Sequence, residues 1–159
     1  MMKKWMLVLL IAISITLTGC GESDASSKLS GRKPPETVIQ IGNETYPTKL
    51  GTYCWSTSNT SECVDTAGPE GLLEGKEPIV VPPGEEITFI MDYEPLPNEV
   101  HLAIYNGDKE QEVKVVNHRF TAPAEKGIYY YSYGVWWMDE NEENVSNGDA
   151  FYAFALEVK

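Results

Sequence analysis

An all-β sandwich is the fold this sequence predicts, and three observations predict it. From about Thr37 onward, apolar residues recur with a period of two, so each run has one apolar and one polar face. Turns rich in Pro and Gly interrupt these runs at short, regular intervals. Beyond the N-terminal apolar run, no stretch carries a helical period. Short alternating strands with such turns bury one face each by packing as two antiparallel sheets.

The elements follow in order. Val38-Ile39-Gln40-Ile41 and Tyr46 to Trp55 form the first strands, with Pro47 confining the second to an edge or a bulge because it lacks an N–H to donate. Ile79-Val80-Val81 is bracketed between Pro78 and the Pro82-Pro83-Gly84 turn. In Glu86 to Asp92, Ile87, Phe89 and Met91 share a face. After Glu94-Pro95-Leu96-Pro97-Asn98, the residues Val100, Leu102 and Ile104 share another, with His101 opposite them. Asn106-Gly107-Asp108 is a turn signal leading to Glu112–Val116, and Asn117-His118 turns the chain into Arg119-Phe120-Thr121. Gly127 to Met138 is a long aromatic strand. Ala150 to Val158 closes the fold with Tyr152, Phe154, Leu156 and Val158 on one side.

Composition bounds the function. The 159 residues suit one domain, and 42% apolar with 11% aromatic content supports a core. Lys+Arg 12 against Asp+Glu 24 gives a net charge of -12. That field repels phosphate, which excludes nucleic acid as a partner.

The N-terminus carries an address. Lys3 and Lys4 precede an apolar run from Trp5 to Leu17 that is too short to span a bilayer as a helix, which needs about 20 residues. Its shape is that of a secretory signal. It ends in Leu17-Thr18-Gly19-Cys20, which resembles the lipobox of bacterial lipoproteins. The resemblance implies a signal peptide over 1–19, removal of which leaves Cys20 at the new N-terminus. It further implies that the Cys20 thiol carries lipid (diacylglyceryl and further acyl chains such as palmitate), enough for stable attachment. The expected location is then the extracytoplasmic face of the cell membrane. Residues 20–36 hold almost nothing apolar and are expected to be a flexible tether, so the globular domain is expected over 37–159.

With Cys20 assigned to lipid, Cys54 and Cys63 remain. A disulfide is expected of such a pair outside the cytoplasm. The segment between them is rich in Ser, Thr and Asn, as a turn would be. A metal site or redox pair is the alternative, although the pair lacks further Cys or His ligands and C-x-x-C spacing.

Two stretches resemble the immunoglobulin-like sandwich. Val81-Pro82-Pro83-Gly84-Glu85-Glu86-Ile87-Thr88-Phe89 is similar to the entry to its second strand, and Gly127-Ile128-Tyr129-Tyr130-Tyr131 to its penultimate strand. The resemblance implies that Tyr129 bonds through its hydroxyl to nearby backbone as a tyrosine corner. Tyr131 stands where an antibody domain has its second core cysteine. Phe120 to Tyr129 also resembles the approach to a cupredoxin copper loop, but no Cys and no later His follows to bind copper.

The search for chemistry leaves few candidates. His101 and His118 match no triad or zinc motif, and the many carboxylates make chance pairs inevitable, so no catalytic residue is assigned. The acidic loop Asp139-Glu140-Asn141-Glu142-Glu143-Asn144 offers oxygen ligands without EF-hand spacing; Asp139, Glu140, Glu142 and Asp149 are its calcium candidates. On the aromatic strand, Tyr129, Tyr131, Tyr133 and Trp137 share one face, Tyr130, Trp136 and Met138 the other. Only one face can pack on the core. The other exposes rings or is covered by the Cys54–Cys63 hairpin or the N-terminal segment. Exposed rings stack on sugars or anchor a protein, so Tyr130, Trp136 and Trp55 are the candidate binding surface. The function expected is a non-catalytic binding or accessory module of the cell envelope, its partner an envelope protein or glycan. The alternatives are a hydrolase acting on glycan through paired carboxylates, and a calcium-stabilised structural lipoprotein.

Overall fold

The computed structural model describes residues 29–106 and 109–159. The expected signal peptide, Cys20 and most of the expected tether lie outside the described residues.

Eleven strands and one short helix are described. They are β1 (Thr37–Ile41), β2 (Glu44–Pro47), β3 (Lys49–Ser56), β4 (Ser61–Val64), α1 (Pro69–Leu72), β5 (Ile79–Val81), β6 (Glu86–Met91), β7 (Glu99–Asn106), β8 (Lys109–Val113), β9 (Arg119–Thr121), β10 (Gly127–Met138) and β11 (Ser146–Val158). One sheet has the order β2-β1-β6-β9, the other β4-β3-β11-β10-β7-β8. Pairing is antiparallel except for β5, which runs parallel to the C-terminal part of β11. β3 pairs with the N-terminal part of that same edge. The all-β sandwich is therefore the observed fold.

The alternation read from sequence sets what is buried. Ile39, Ile87, Phe89 and Phe120 of the smaller sheet meet Leu102, Tyr131, Tyr133, Tyr152, Phe154 and Leu156 of the larger. Phe89 stacks on Tyr133 with ring centroids 3.7 Å apart, and Tyr131 on Phe154 at 4.7 Å. Burial keeps these phenols protonated; the Tyr133 hydroxyl is pushed up to about 12. Pro47 ends β2, the edge strand of its sheet. Asn117 and His118 both take positive φ, 50° and 61°, and Val116 and Arg119 bond to each other's backbone across them. That is the geometry of a two-residue hairpin turn, and Asn tolerates it well.

The Cys54–Cys63 disulfide is present, joining directly paired residues of β3 and β4. The domain boundary needs correction. Residues 29–36, expected within the tether, pack on the sandwich: Leu29 is 6% exposed and Pro34 is fully buried. Three aromatic side chains hold the segment through its backbone. Tyr93 Oη binds Ser30 N and O (2.7 and 3.1 Å), Trp55 Nε1 donates to Gly31 O (3.3 Å), and Tyr152 Oη donates to Pro35 O (2.6 Å). A polar composition concealed this because the contacts use backbone atoms and two small apolar side chains.

Candidate binding site on the outer sheet face

The outward face of β10 carries Tyr130, Ser132, Gly134 and Trp136, and its neighbours are fixed by register. Gly134 lies between Phe151 of β11 and His101 of β7; Ser132 lies between Ala153 and Ala103; Tyr130 lies between Ala155 and Tyr105. Small residues thus form the middle of a trough with aromatic rings towards both ends. The indole of Trp136 lies over Gly134, since a methyl group there would come within 2.6 Å of Trp136 Cη2 and 3.0 Å of Phe151 Cε1. Only glycine leaves that space. Phe151 and His101 flank the indole edge-on, with ring centroids at 5.3 and 5.4 Å. Thr66, Ala67, Pro69 and Leu72, in and before α1, cross above Phe151 and Ala153 to wall one side of a cavity of about 290 Å³.

The trough is rimmed with carboxylates. Glu99 and Glu112 bind the two ring nitrogens of His101 at 3.0 and 3.3 Å. A carboxylate only accepts, so both bonds form together only with the imidazolium. The hydrogen bonds to Glu99, then Glu112, raise the His101 pKa above its ordinary 6.5. With both nitrogens engaged, His101 has none left to activate a nucleophile. Glu99 and Glu112 are in turn held on one imidazole on an open face, so they do not stand apart across a cleft as a hydrolytic acid pair would.

Of the predicted surface residues, Tyr130 and Trp136 share this face, both half-buried. Trp55 does not, and the expectation of an exposed ring there is corrected. It is 1% exposed and faces the core opposite Gly148, whose missing side chain makes room for it. Its ring packs edge-on against Trp137 at 4.9 Å and Tyr93 at 5.8 Å.

The calcium candidates are also separated. Asp139 caps its own loop, accepting from Asn141 N (2.8 Å), Glu142 N (3.2 Å) and Asn147 Nδ2 (3.2 Å), and these bonds, Asn141 first, lower its pKa. Asp149 sits across on β11, accepting from Cys54 N at 3.2 Å, with its pKa raised by burial. Glu140 and Glu142 are exposed on the loop. Among the described residues, no group of three His, Cys, Asp or Glu is placed to hold a metal ion.

The chain matches no known protein family, no curated protein and no solved structure. The site's chemistry must then be read from its own residues. Phe151, Tyr105, Gly134 and the Glu99–His101–Glu112 cluster were not singled out from sequence. Their signal was the odd-numbered register of Asp149, Phe151 and Ala153 in β11, and of Glu99, His101, Ala103 and Tyr105 in β7.

Proposed function

We propose that the protein is a lipid-anchored, extracytoplasmic, non-catalytic binding module whose outer sheet face takes an envelope glycan. The observation that carries this reading is the Trp136 indole held over Gly134 between Phe151 and His101. A flat ring fixed in place by its neighbours loses little freedom on stacking against a sugar face. Glu99, Glu112 and the Thr52 and Thr66 hydroxyls near the trough supply acceptors for sugar hydroxyls.

The lipobox supports anchoring at Cys20 on the outer face of the cell membrane. Leu29 enters the domain beside Gly148 and Trp55, at the Met138 end of β10. Residues 29–36 of the 17 expected in the tether therefore belong to the domain, and 20–28 lie outside the described residues. Among the described residues no helix is long and apolar enough to cross a membrane.

We also infer that the sandwich is a variant of the immunoglobulin-like arrangement. In support, β6 and β9 pair in one sheet while β10 lies between β7 and β11 in the other. Tyr129 Oη donates to Glu125 O at 2.9 Å, the bond a tyrosine corner makes.

The test is co-sedimentation of the purified full-length protein with insoluble peptidoglycan sacculi. Trp136→Ala is expected to abolish sedimentation while leaving the thermal transition nearly unchanged; retention by the variant at wild-type level refutes the reading. For the anchor, Cys20→Ser is expected to leave the membrane fraction, and firm membrane association of the processed variant would contradict it.

A further inference from the structure

We propose that the cleft between β8 and the β9–β10 connection is a second binding site, for a small organic anion carrying one carboxylate on an apolar body. The cleft has a volume of about 610 Å³, in the range of small-molecule sites. It opens where both sheets end, β8 being the last strand of one and β9 of the other. It is a separate opening from the outer trough: of the residues named for the trough, only Glu112 also borders it, and the Glu112 carboxylate is held on the trough side by His101.

Register sorts the charges of β8 between those faces. Lys109, Gln111 and Val113 pair with Asn106, Ile104 and Leu102, and Leu102 is a core residue, so this set faces inward towards the cleft. Glu110 and Glu112 alternate to the outer face; Glu112 also borders the cleft, but its carboxylate is engaged on the outer side by His101. Lys109 and Lys114 both line the cleft, and neither has an ion-pair partner among the described residues. In a chain of net charge -12, two ammonium groups at one opening without an ion pair among the described residues favour an anion there. Glu125 stands on the opposite rim, which favours a single negative charge over several. Ile104, Val113 and Pro123 give the walls their apolar character.

The floor supplies the decisive group. Tyr131 lines the cleft and is 0% exposed, and its buried hydroxyl has no hydrogen-bond partner among the described residues. Buried polar groups are nearly always satisfied, and an orphan destabilises the fold that holds it. The neighbouring Tyr129 hydroxyl is committed to Glu125 O, so Tyr131 remains as the unsatisfied donor at the cleft floor. Burial raises its pKa, so it stays a donor at neutral pH. A ligand oxygen that enters far enough to uncover Tyr131 Oη satisfies the orphan, with the ammonium groups of Lys109 and Lys114 on the rim offsetting the ligand's charge.

Two sources share this chemistry, an acyl chain and a peptide C-terminus. The experiment follows thermal unfolding of the full-length protein with millimolar hexanoate, N-acetyl-leucine, or the neutral N-acetyl-leucinamide, since a ligand of the native state raises Tm by mass action. At least one carboxylate is expected to raise Tm and the amide is not. Hexanoate alone points to acyl chains, and N-acetyl-leucine alone to peptide termini. Lys109→Gln with Lys114→Gln, both at the rim, is expected to remove the shift. Tyr131→Phe is expected to raise Tm without ligand and to weaken binding about tenfold. The proposal is overturned if neither carboxylate raises Tm, if the amide works equally, or if the lysine variant keeps the full shift. It is also overturned if Tyr131→Phe lowers Tm while leaving the ligand shift intact. Peptidoglycan retention by the lysine variant separates failure here from failure at the Trp136 trough.

Discussion

The two faces of β10 are made of the same kinds of residue put to different ends. On the inner face, Tyr131, Tyr133, Val135 and Trp137 are buried; Tyr133 stacks on Phe89 and Tyr131 tilts against Phe120 of the opposite sheet, while Trp137 packs edge-on against Trp55 and Tyr93. On the outer face, Tyr130 and Trp136 are separated by Ser132 and Gly134, and among the described residues no second sheet covers them. Inside, an aromatic ring contributes by filling volume at close packing. Outside, Trp136 rests on a residue with no side chain and is gripped from both flanks. The difference teaches that burial alone does not distinguish a core ring from a binding ring. What the ring lies upon does.

That contrast can be broken first from the inside. Trp55→Ala removes a ring packed on Trp137 and Tyr93 and frees Gly31 O, and should cost about 3–5 kcal/mol. Denaturant unfolding with an unchanged slope would measure it. Next, Cys54→Ser with Cys63→Ser opens a short loop and should cost about 2–3 kcal/mol on the chain-entropy account. Reduction of the wild type should lower Tm by a matching amount. On the outer face the balance between stability and binding inverts. Gly134→Ala must displace the Trp136 indole; the ring can swing into solvent, so about 1 kcal/mol of stability is expected to go while glycan retention is lost. Wild-type retention by that variant would separate the glycine from the site.

The smallest effect is electrostatic. The His101 pKa is raised by Glu99 and Glu112, so its stabilising contribution is full below the unfolded value near 6.5 and is lost as pH rises through the raised folded value. The Tm gap between wild type and His101→Gln should therefore be wider at pH 5.5 than at pH 8.5. A gap that widens with rising pH would reverse the assignment.

Much of the fold was legible because alternation is a local property. Leu102 and Ile104, or Tyr152 and Phe154, declare their face by spacing alone, and β10 keeps its predicted ends at Gly127 and Met138. β11 begins earlier than expected, at Ser146, since Ser146, Asn147 and Gly148 offer no apolar period to read. β8 likewise covers Lys109–Val113 instead of Glu112–Val116, held by pairing to β7 although four of its five side chains are exposed. The site was legible only in part. Trp136 followed from alternation, but its support by Gly134, Phe151 and His101 depends on which strands flank β10, and that is a matter of long-range pairing. Trp55 was misplaced for a similar reason. Its inward direction depends on a pairing irregularity between β3 and β11, near Ala150 and Tyr152, which no local pattern announces.

The claim that the outer face of β10 binds is tested most directly by the indole N–H resonances in an amide-correlation spectrum of the full-length protein. Soluble peptidoglycan fragments are titrated in while the Trp55, Trp136 and Trp137 signals are followed. The account predicts that Trp136 shifts and saturates, while Trp55, bonded to Gly31 O, and Trp137, bonded to Pro95 O, stay in place. A Trp136 signal that does not move at saturating fragment, or one that moves only together with both core indoles, would contradict it.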